Sequence, residues 1–450
     1  MGRWLDQFFK CTASGSSVGI EFRSGLTTFL AMAYILFVNP QILGIAIQVD
    51  GSETPIHAQL LTATALSAAF GSILMGFLAR YPIAVAPGMG LNAYFTYTVV
   101  LDKGVSWQIA LGAVFVSGIV FIMLSLSGFR EAVMKGIPLS LKRAVAGGIG
   151  FFLAIVGLQS AGFIIPKSAT LAGLGDLTSP SVLLMLAGLM VAVALLSRRI
   201  PGALMISVLV TSVVAVMFNL PVFSGKAIVF DWSNLASPPA WPRDIMGALD
   251  LQGAMKIEML DVIFTFLFVA FFDTAGTLIG LAEKAGLSDS EGRIPRANSV
   301  FTTDAVSTAV GALLGTSTAT AYVESAAGME EGAKTGLSAV FVGLFFLVSI
   351  FFWPVASYIP SAATAPALVI LGAMMMESII KIPWRDYTEA VPAFLILISI
   401  PFTWSISTGI AIGVTTHVVL KVLTGQSRSI HPVMYLLASV LAIKITIAGG

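Results

Sequence analysis

The stretch IAVAPGMGLNAYFTYTVVL, residues 83–101, is apolar enough to cross a membrane but is interrupted by Pro87, Gly88, Gly90 and Asn92. Proline removes a backbone donor and glycine leaves the helix easily, so the run reads as a broken span. A second broken stretch, STATAYVESAAGMEEG at 317–332, is rich in Ser, Thr, Ala and Gly and carries Glu324. The overlapping run TSTATAYVES, 316–325, is β-branched and small-residue-rich, which suits an extended chain better than a helix. Backbone groups freed by unwinding cannot face lipid; they face protein or a wet cavity, where a polar solute can be held. A kink that only serves packing is the competing explanation of either break alone, and a matched pair argues against it. The hexapeptide GMGLNA, 88–93, fits G-x-G-x-x-A, but that fingerprint needs a soluble strand–turn–helix unit with an acid about 20 positions on. Here the motif lies inside a membrane span and Asp102 follows too soon, so a dinucleotide site is rejected.

The rest of the chain has the composition that such spans require. Of 450 residues, 57% are hydrophobic and 10% charged, and the mean hydropathy is +0.94. Soluble domains run near about 45–50% apolar and about 25% charged, so this chain lacks the charge to cover a water-facing surface. Disorder is excluded by the apolar content. Lys and Arg number 24 against 23 Asp and Glu, which leaves no basic field for nucleic acid. Cys11 stands alone, so no internal disulfide or Cys-based metal site is expected, and no other cofactor either. Residues 1–24 mix Arg3, Lys10 and Arg23 with Asp6 and Glu21, and the apolar run from Gly25 to about Ile47 is too long for a signal-peptide core. It reads as the first span.

A spanning helix needs about 20 mostly apolar residues. Ten segments qualify: 25–43, 58–79, 107–127, 146–165, 181–197, 203–219, 260–282, 335–353, 363–378 and 404–423. The weaker segments 83–101, 300–314, 317–332 and 388–401 bring the count to fourteen, and 432–448 is a candidate membrane-surface helix. With both termini cytoplasmic, nineteen of the 24 basic residues fall inside, and Lys103, Lys167, Lys226, Arg243 and Lys256 fall outside. That bias follows the positive-inside rule, and dropping one span would destroy it. The fold class is therefore an all-α, multi-pass membrane protein of fourteen spans, its partner the lipid bilayer. The loop 220–258, with Pro221, Pro238, Pro239 and Pro242, reads as an extracytoplasmic linker between two halves.

The halves resemble each other. ALSAAFGSIL (65–74) and AVSTAVGALL (305–314) share Ala65/Ala305, Ser67/Ser307, Ala69/Ala309, Gly71/Gly311 and Leu74/Leu314 at a constant offset of 240. These lie in the second and ninth spans, so each half has seven. An odd number forces the halves to insert with opposite orientation, the inverted repeat of many secondary transporters, and the broken spans follow at corresponding positions.

Ionisable groups inside spans are costly and therefore informative. Asp273 lies in FLFVAFFDTAGTLIG, 266–280, and Glu324 in the second broken span. A carboxyl kept from water takes up a proton more readily, which suits proton coupling and hydrogen bonding to a polar ligand; a permanently protonated helix–helix contact is the blander alternative. Asn92 offers a donor and an acceptor to a planar heterocycle, or else ends a half-helix. Thr277 shares a helix face with Asp273, although bonding to its own backbone is the simpler role. Asp304, after Thr302 and Thr303, is expected at a helix N-terminus; Glu330, Glu331 and Lys334 are expected in solvent; Glu377 sits near an inner helix end. His57, His417 and His431 form no metal pattern.

YPIAVAPGMGLNAYFTYTVV (81–100), FFDTAGTLIG (271–280) and TSTATAYVESAAGMEEGAKTGL (316–337) together resemble the hallmarks of AzgA-like purine permeases, in the nucleobase–cation symporter-2 or nucleobase–ascorbate transporter group. GLTTFLAMAYILFVNP (25–40) resembles that family's first span, and the likeness runs from about residue 3 to about 425. The resemblance implies two inverted seven-span repeats with short extended stretches in spans three and ten. It places a core domain in 25–127 and 259–353 and a gate domain in 141–219 and 362–423, between a cytoplasmic segment 1–24 and a C-terminal segment 424–450. It implies import of adenine, guanine or hypoxanthine with a proton as coupling ion, by an elevator-like movement, and often as a homodimer. By similarity Asp273 and Glu324 would bind the purine and couple the proton. Asn92, Thr277, Val323 and the backbone of Ala86, Pro87 and Gly88 would complete the site. Related uracil permeases carry a histidine where this chain has Thr277, which favours a purine. Rival readings are uracil, xanthine or anion transport on the same fold, a channel, or an intramembrane enzyme. Two carboxyls argue against an anion, no span shows the polar stripe of a channel, and no metal cluster supports an enzyme.

Overall fold

The computed structural model describes residues 2–127, 136–167, 171–223, 235–285 and 294–448; the loop cations Arg130, Lys135, Lys226 and Arg293 lie outside them. Apolar runs become helices. After α1 (Gly2–Phe9), the first span is α2 (Val18–Met32) and α3 (Ile35–Ala46), followed by α4 (Ile56–Leu74). The first broken stretch is β1 (Val85–Pro87), α5 (Met89–Ala93) and a π-helix, Tyr94–Asp102. Next come α6 (Trp107–Ser127), α7 (Leu139–Ser160), a hairpin of β2 (Ile164–Lys167) and β3 (Leu171–Leu174), α8 (Pro180–Ser197) and α9 (Ala203–Met217). The second half holds α10 (Leu251–Ala254), α11 (Leu260–Ala285), α12 (Ala297–Leu314), β4 (Ala319–Ala321), α13 (Ser325–Glu330) and α14 (Gly336–Ser349). It ends with α15 (Ser361–Met376), α16 (Tyr387–Phe402), α17 (Ile406–Leu423) and α18 (Pro432–Ala448), which packs on α17.

Among the described residues, nine helical segments are long and apolar enough to cross a membrane, and α9 and α16 are shorter apolar helices. The other expected spans, 83–101, 300–314 and 317–332, are the β1–α5–π segment, α12 and the β4–α13 segment. Two boundaries differ clearly, and the first is the start of the first span at Val18, seven residues before the expected 25. The expected 146–165 begins at Leu139 and ends at Ser160, with a strand from Ile164. Lys142 and Arg143 discourage an apolar reading, yet long cationic stems lie along a helix while their heads reach outward.

The two broken stretches meet. β1 and β4 pair antiparallel, with Val85 opposite Ala321, Ala86 opposite Thr320 and Pro87 opposite Ala319. Gly88 N–H donates to Thr318 O and Tyr322 N–H to Ala84 O, each at 2.9 Å, which extends the pairing. Each segment thus supplies partners the other lost on leaving the helix. Two helix hydroxyls fix the strand starts. Ser72 Oγ accepts from Val85 N–H and donates to Val85 O, both at 3.0 Å. Thr308 Oγ1 accepts from Ala319 N–H at 3.2 Å and donates to Ala319 O at 3.0 Å.

Small residues allow the helices to approach this closely. A Cβ on Gly71 would lie 3.0 Å from Ser307 Oγ, and one on Gly311 would lie 3.0 Å from Ser67 Oγ. The residues repeated at the 240 offset therefore contact each other reciprocally across α4 and α12. One set of helices, α2, α4, α6, α11, α12 and α14, packs together; a second set is α7, α8, α9, α15, α16 and α17. The sets touch where α2 meets α9 and α11 meets α17, and α5 and α3 bridge to α7 and α15.

Candidate substrate-binding site

Asp273 lies on α11, one residue after the buried ring of Phe272, and is half-buried, as is Thr277 one turn on. Thr320, the central residue of β4, sets its hydroxyl against the Asp273 carboxyl. Glu324 is the N-cap of α13 and is half-buried, beside Val323, which is 45% exposed and so open to a solute. Asp273 acts electrostatically on Glu324. The two acids that lie 51 positions apart in the sequence are thus gathered at one place, on either side of the extended stretch.

Their surroundings come from three further elements. Tyr34 sits at the junction of α2 and α3, where Phe37 N–H reaches back to Tyr34 O at 3.1 Å in a tightened turn ahead of Pro40. The Tyr34 ring is fully buried and its hydroxyl donates to Glu324 Oε1 at 2.8 Å. The Tyr322 hydroxyl donates to Pro87 O, and Tyr322 stands within electrostatic reach of both acids. Asp304 accepts from the Thr274 hydroxyl and, at 3.1 Å, from Ala321 N–H; its other oxygen has no hydrogen-bond partner among the described residues. The expected helix-end role of Asp304 is therefore wrong. α12 begins at Ala297, so Asp304 lies two turns inside, fully buried, and ties β4 to α11 and α12. Two threonines ahead of an acid resemble a helix start, but the cap position is taken by Arg296.

Asn92 is placed in a closed network. Its Nδ2 donates to Asn39 Oδ1 and its Oδ1 accepts from Ser317 Oγ. Asn39 Nδ2 in turn donates to Thr64 Oγ1 at 2.7 Å and Thr316 Oγ1 at 3.1 Å. The amide is occupied by protein, and Asn92 is fully buried. Ala86 is buried in the strand pair, the Gly88 N–H is spent on Thr318, and Pro87 O is spent on Tyr322. Glu330, Glu331 and Lys334 are exposed, as expected, with Glu331 3.6 Å from Arg23.

Tyr34, Thr320, Tyr322 and the role of Asp304 are additions from the structure. A signal for two of them exists in the sequence. In TSTATAY, Thr316, Thr318, Thr320 and Tyr322 alternate, so an extended chain presents their hydroxyls on one face. Tyr34 has no such signal.

Over residues 19–412, which include every side chain of this site, the chain matches the permease family Xan_ur_permease. It is 45% identical to the guanine/hypoxanthine permease PbuG of Bacillus subtilis (strain 168) over 433 residues, covering 96% of this chain and 97% of that one. It is 41% identical to the adenine permease AdeQ of Escherichia coli (strain K12) over 441 residues, covering 98% and 96%. In fold it is similar to the transmembrane domain of a cyanobacterium bicarbonate transporter, BicA, with a TM-score of 0.60 at 15% identity over 88% of this chain and 97% of that one. The apolar helices, the broken spans that shield a pair of acids, and the match across nearly the whole chain agree: this protein belongs to the permease family, a multi-pass membrane transporter and not an enzyme.

Proposed function

We propose that the chain imports purine nucleobases, adenine, guanine or hypoxanthine, by proton symport. One observation carries this reading: Asp273 and Glu324 lie together at the strand crossing, among hydroxyls and, among the described residues, with no cation acting on them. Two carboxyls in a medium of low dielectric favour a proton, or a neutral ligand that offers N–H groups, over two bare charges. A purine edge offers such donors beside acceptors. The names of the related permeases support the same class of solute. Thr277 and Val323 complete the contact surface on α11 and ahead of α13. Asn92, with its amide engaged by Asn39 and Ser317, holds the crossing together and serves the site from behind.

In this reading the chain forms fourteen spans in two inverted repeats, with both termini cytoplasmic in the cell membrane. The set built on α2, α4, α6, α11, α12 and α14 is the core, the set built on α7, α8, α9, α15, α16 and α17 is the gate, and the core moves against the gate like an elevator. The reciprocal Gly71–Ser307 and Gly311–Ser67 contacts support the repeat. One proton charge driven by 100 mV supplies about 2.3 kcal/mol, roughly a fifty-fold gradient. The test is uptake of radiolabelled hypoxanthine, adenine, guanine, uracil and sulfate in cells lacking their own carriers, with and without a protonophore. Protonophore-sensitive purine uptake, abolished by Asp273→Asn and by Glu324→Gln at normal membrane levels, is expected. Uptake of uracil or sulfate alone would overturn the solute assignment, and purine uptake indifferent to the protonophore would overturn the coupling.

A further inference from the structure

A cavity of about 790 Å³ lies apart from the acid pair, between α3 and α4 on one side and α7 and α15 on the other. It sits where α4 begins, α7 ends and α15 begins, the end of the molecule opposite Arg80, Arg143 and Lys381. Its size falls within the range of small-molecule pockets, about 300–1,000 Å³. Its walls combine the polar side chains Gln41, His57 and Gln159 with the rings of Tyr97, Phe223 and Trp353, and among the described residues no Lys, Arg, Asp or Glu lines it. An uncharged lining of amides and rings suits a neutral planar solute, not an ion.

Two of the rings are already held in place. Trp353 Nε1 donates to Pro238 O at 2.9 Å, and Tyr97 packs on Trp404 with centroids 5.5 Å apart. Held rings stack with planar ligands at little entropic cost. Gln41 does something different. Its Nε2 donates to Ile359 O at 3.0 Å and its Oε1 accepts from the Thr364 hydroxyl, so one amide of α3 bridges to α15 and to the chain two residues ahead of it. The amide offers one donor and one acceptor side by side, the pair that a nucleobase edge with adjacent C=O and N–H groups also satisfies.

We propose that this cavity is a receiving site for a planar nitrogen heterocycle on its way to Asp273 and Glu324, and that Gln41 is its latch. A base that takes up the Gln41 amide replaces the bonds to Ile359 and Thr364 and frees α3 from α15. The inference rests on the nucleobase reading above for its solute and goes beyond it in naming a second site.

The experiment uses the whole chain with Cys11→Ser, which removes the sole native thiol, and Ala356→Cys on the cavity wall, with Ser357→Cys as a second position should the first fail to reach the membrane. Labelling by a membrane-impermeant maleimide added outside intact cells is timed with and without hypoxanthine or adenine. Purines are expected to slow labelling, sulfate is not, and the protection is expected to persist when Asp273→Asn is added. Gln41→Ala is expected to weaken the protection roughly tenfold, the scale of one or two lost hydrogen bonds. Protection that vanishes with Asp273→Asn reports only the central site and overturns the proposal, as does a cysteine that the reagent does not reach from outside. Purine uptake by the unmodified chain separates the two readings. With uptake but no local protection the receiving site alone falls, and without purine uptake the nucleobase reading falls first.

Discussion

Tyr34→Phe removes one hydrogen bond and keeps the bulk of the ring. The side chain is fully buried, so phenylalanine fills the same space and the junction between α2 and α3 stays packed. What is lost is the 2.8 Å bond from the hydroxyl to Glu324 Oε1. Such a bond contributes about 0.5–1.5 kcal/mol to a protonated carboxyl and about 1.5–3 kcal/mol to an ionised one. The value where the two ranges meet, about 1.5 kcal/mol, corresponds to roughly a tenfold loss of affinity. Initial uptake rates in carrier-deficient cells should show KM raised roughly tenfold, with Vmax per membrane copy within about twofold. Equilibrium binding of the base to purified protein then compares Tyr34→Phe, Glu324→Gln and the double variant, because Glu324→Gln is expected to stop transport. If Tyr34 acts through Glu324, adding Tyr34→Phe to Glu324→Gln costs little. An unchanged KM for Tyr34→Phe, or losses that add in full, would refute the argument.

Three other substitutions probe the supports of the site. Thr308→Val strips Ala319 of partners for both its N–H and its C=O, which should cost about 2–4 kcal/mol and lower the thermal midpoint in detergent by several degrees, while Thr308→Ser restores it; an unshifted midpoint would remove Thr308 from the crossing. Asp304→Ala should abolish uptake with the protein still in the membrane, and Thr274→Val alone should lower it in part; substantial uptake by Asp304→Ala would mean that the bond to Ala321 N–H is dispensable. Asn92→Ala should lower thermal stability by about 1–3 kcal/mol through the orphaned Asn39 amide and Ser317 hydroxyl, and leave the rank order of purines as it was. A changed rank order would place Asn92 against the solute instead.

Much of this protein follows from local chemistry. Apolar length fixes where helices cross, and Pro87, Gly88 and the β-branched run at 316–320 fix where two of them break. The cost of burying ionised groups makes Asp273 and Glu324 candidates from the residues alone. These features depend on a residue and its near neighbours, so a linear reading captures them. The same reading misplaced Asp304, because two threonines before an acid look alike at a helix start and two turns inside one, and only the position of Arg296 decides between them.

The tertiary structure decided which partners the broken segments find. Nothing in the order of residues states that Val85 lies opposite Ala321, or that a tyrosine 290 positions earlier reaches Glu324. Both are contacts between elements distant in the chain, selected because an unwound backbone in an apolar medium must satisfy its hydrogen bonds somewhere and each break is the other's best source. The partners of the Asn92 amide come from the same packing, Asn39 on one side and Ser317 on the other. Sequence fixed the need for partners at the two breaks; packing of α4 against α12 fixed who they are, since only a close seam of small residues brings the strands within bonding distance.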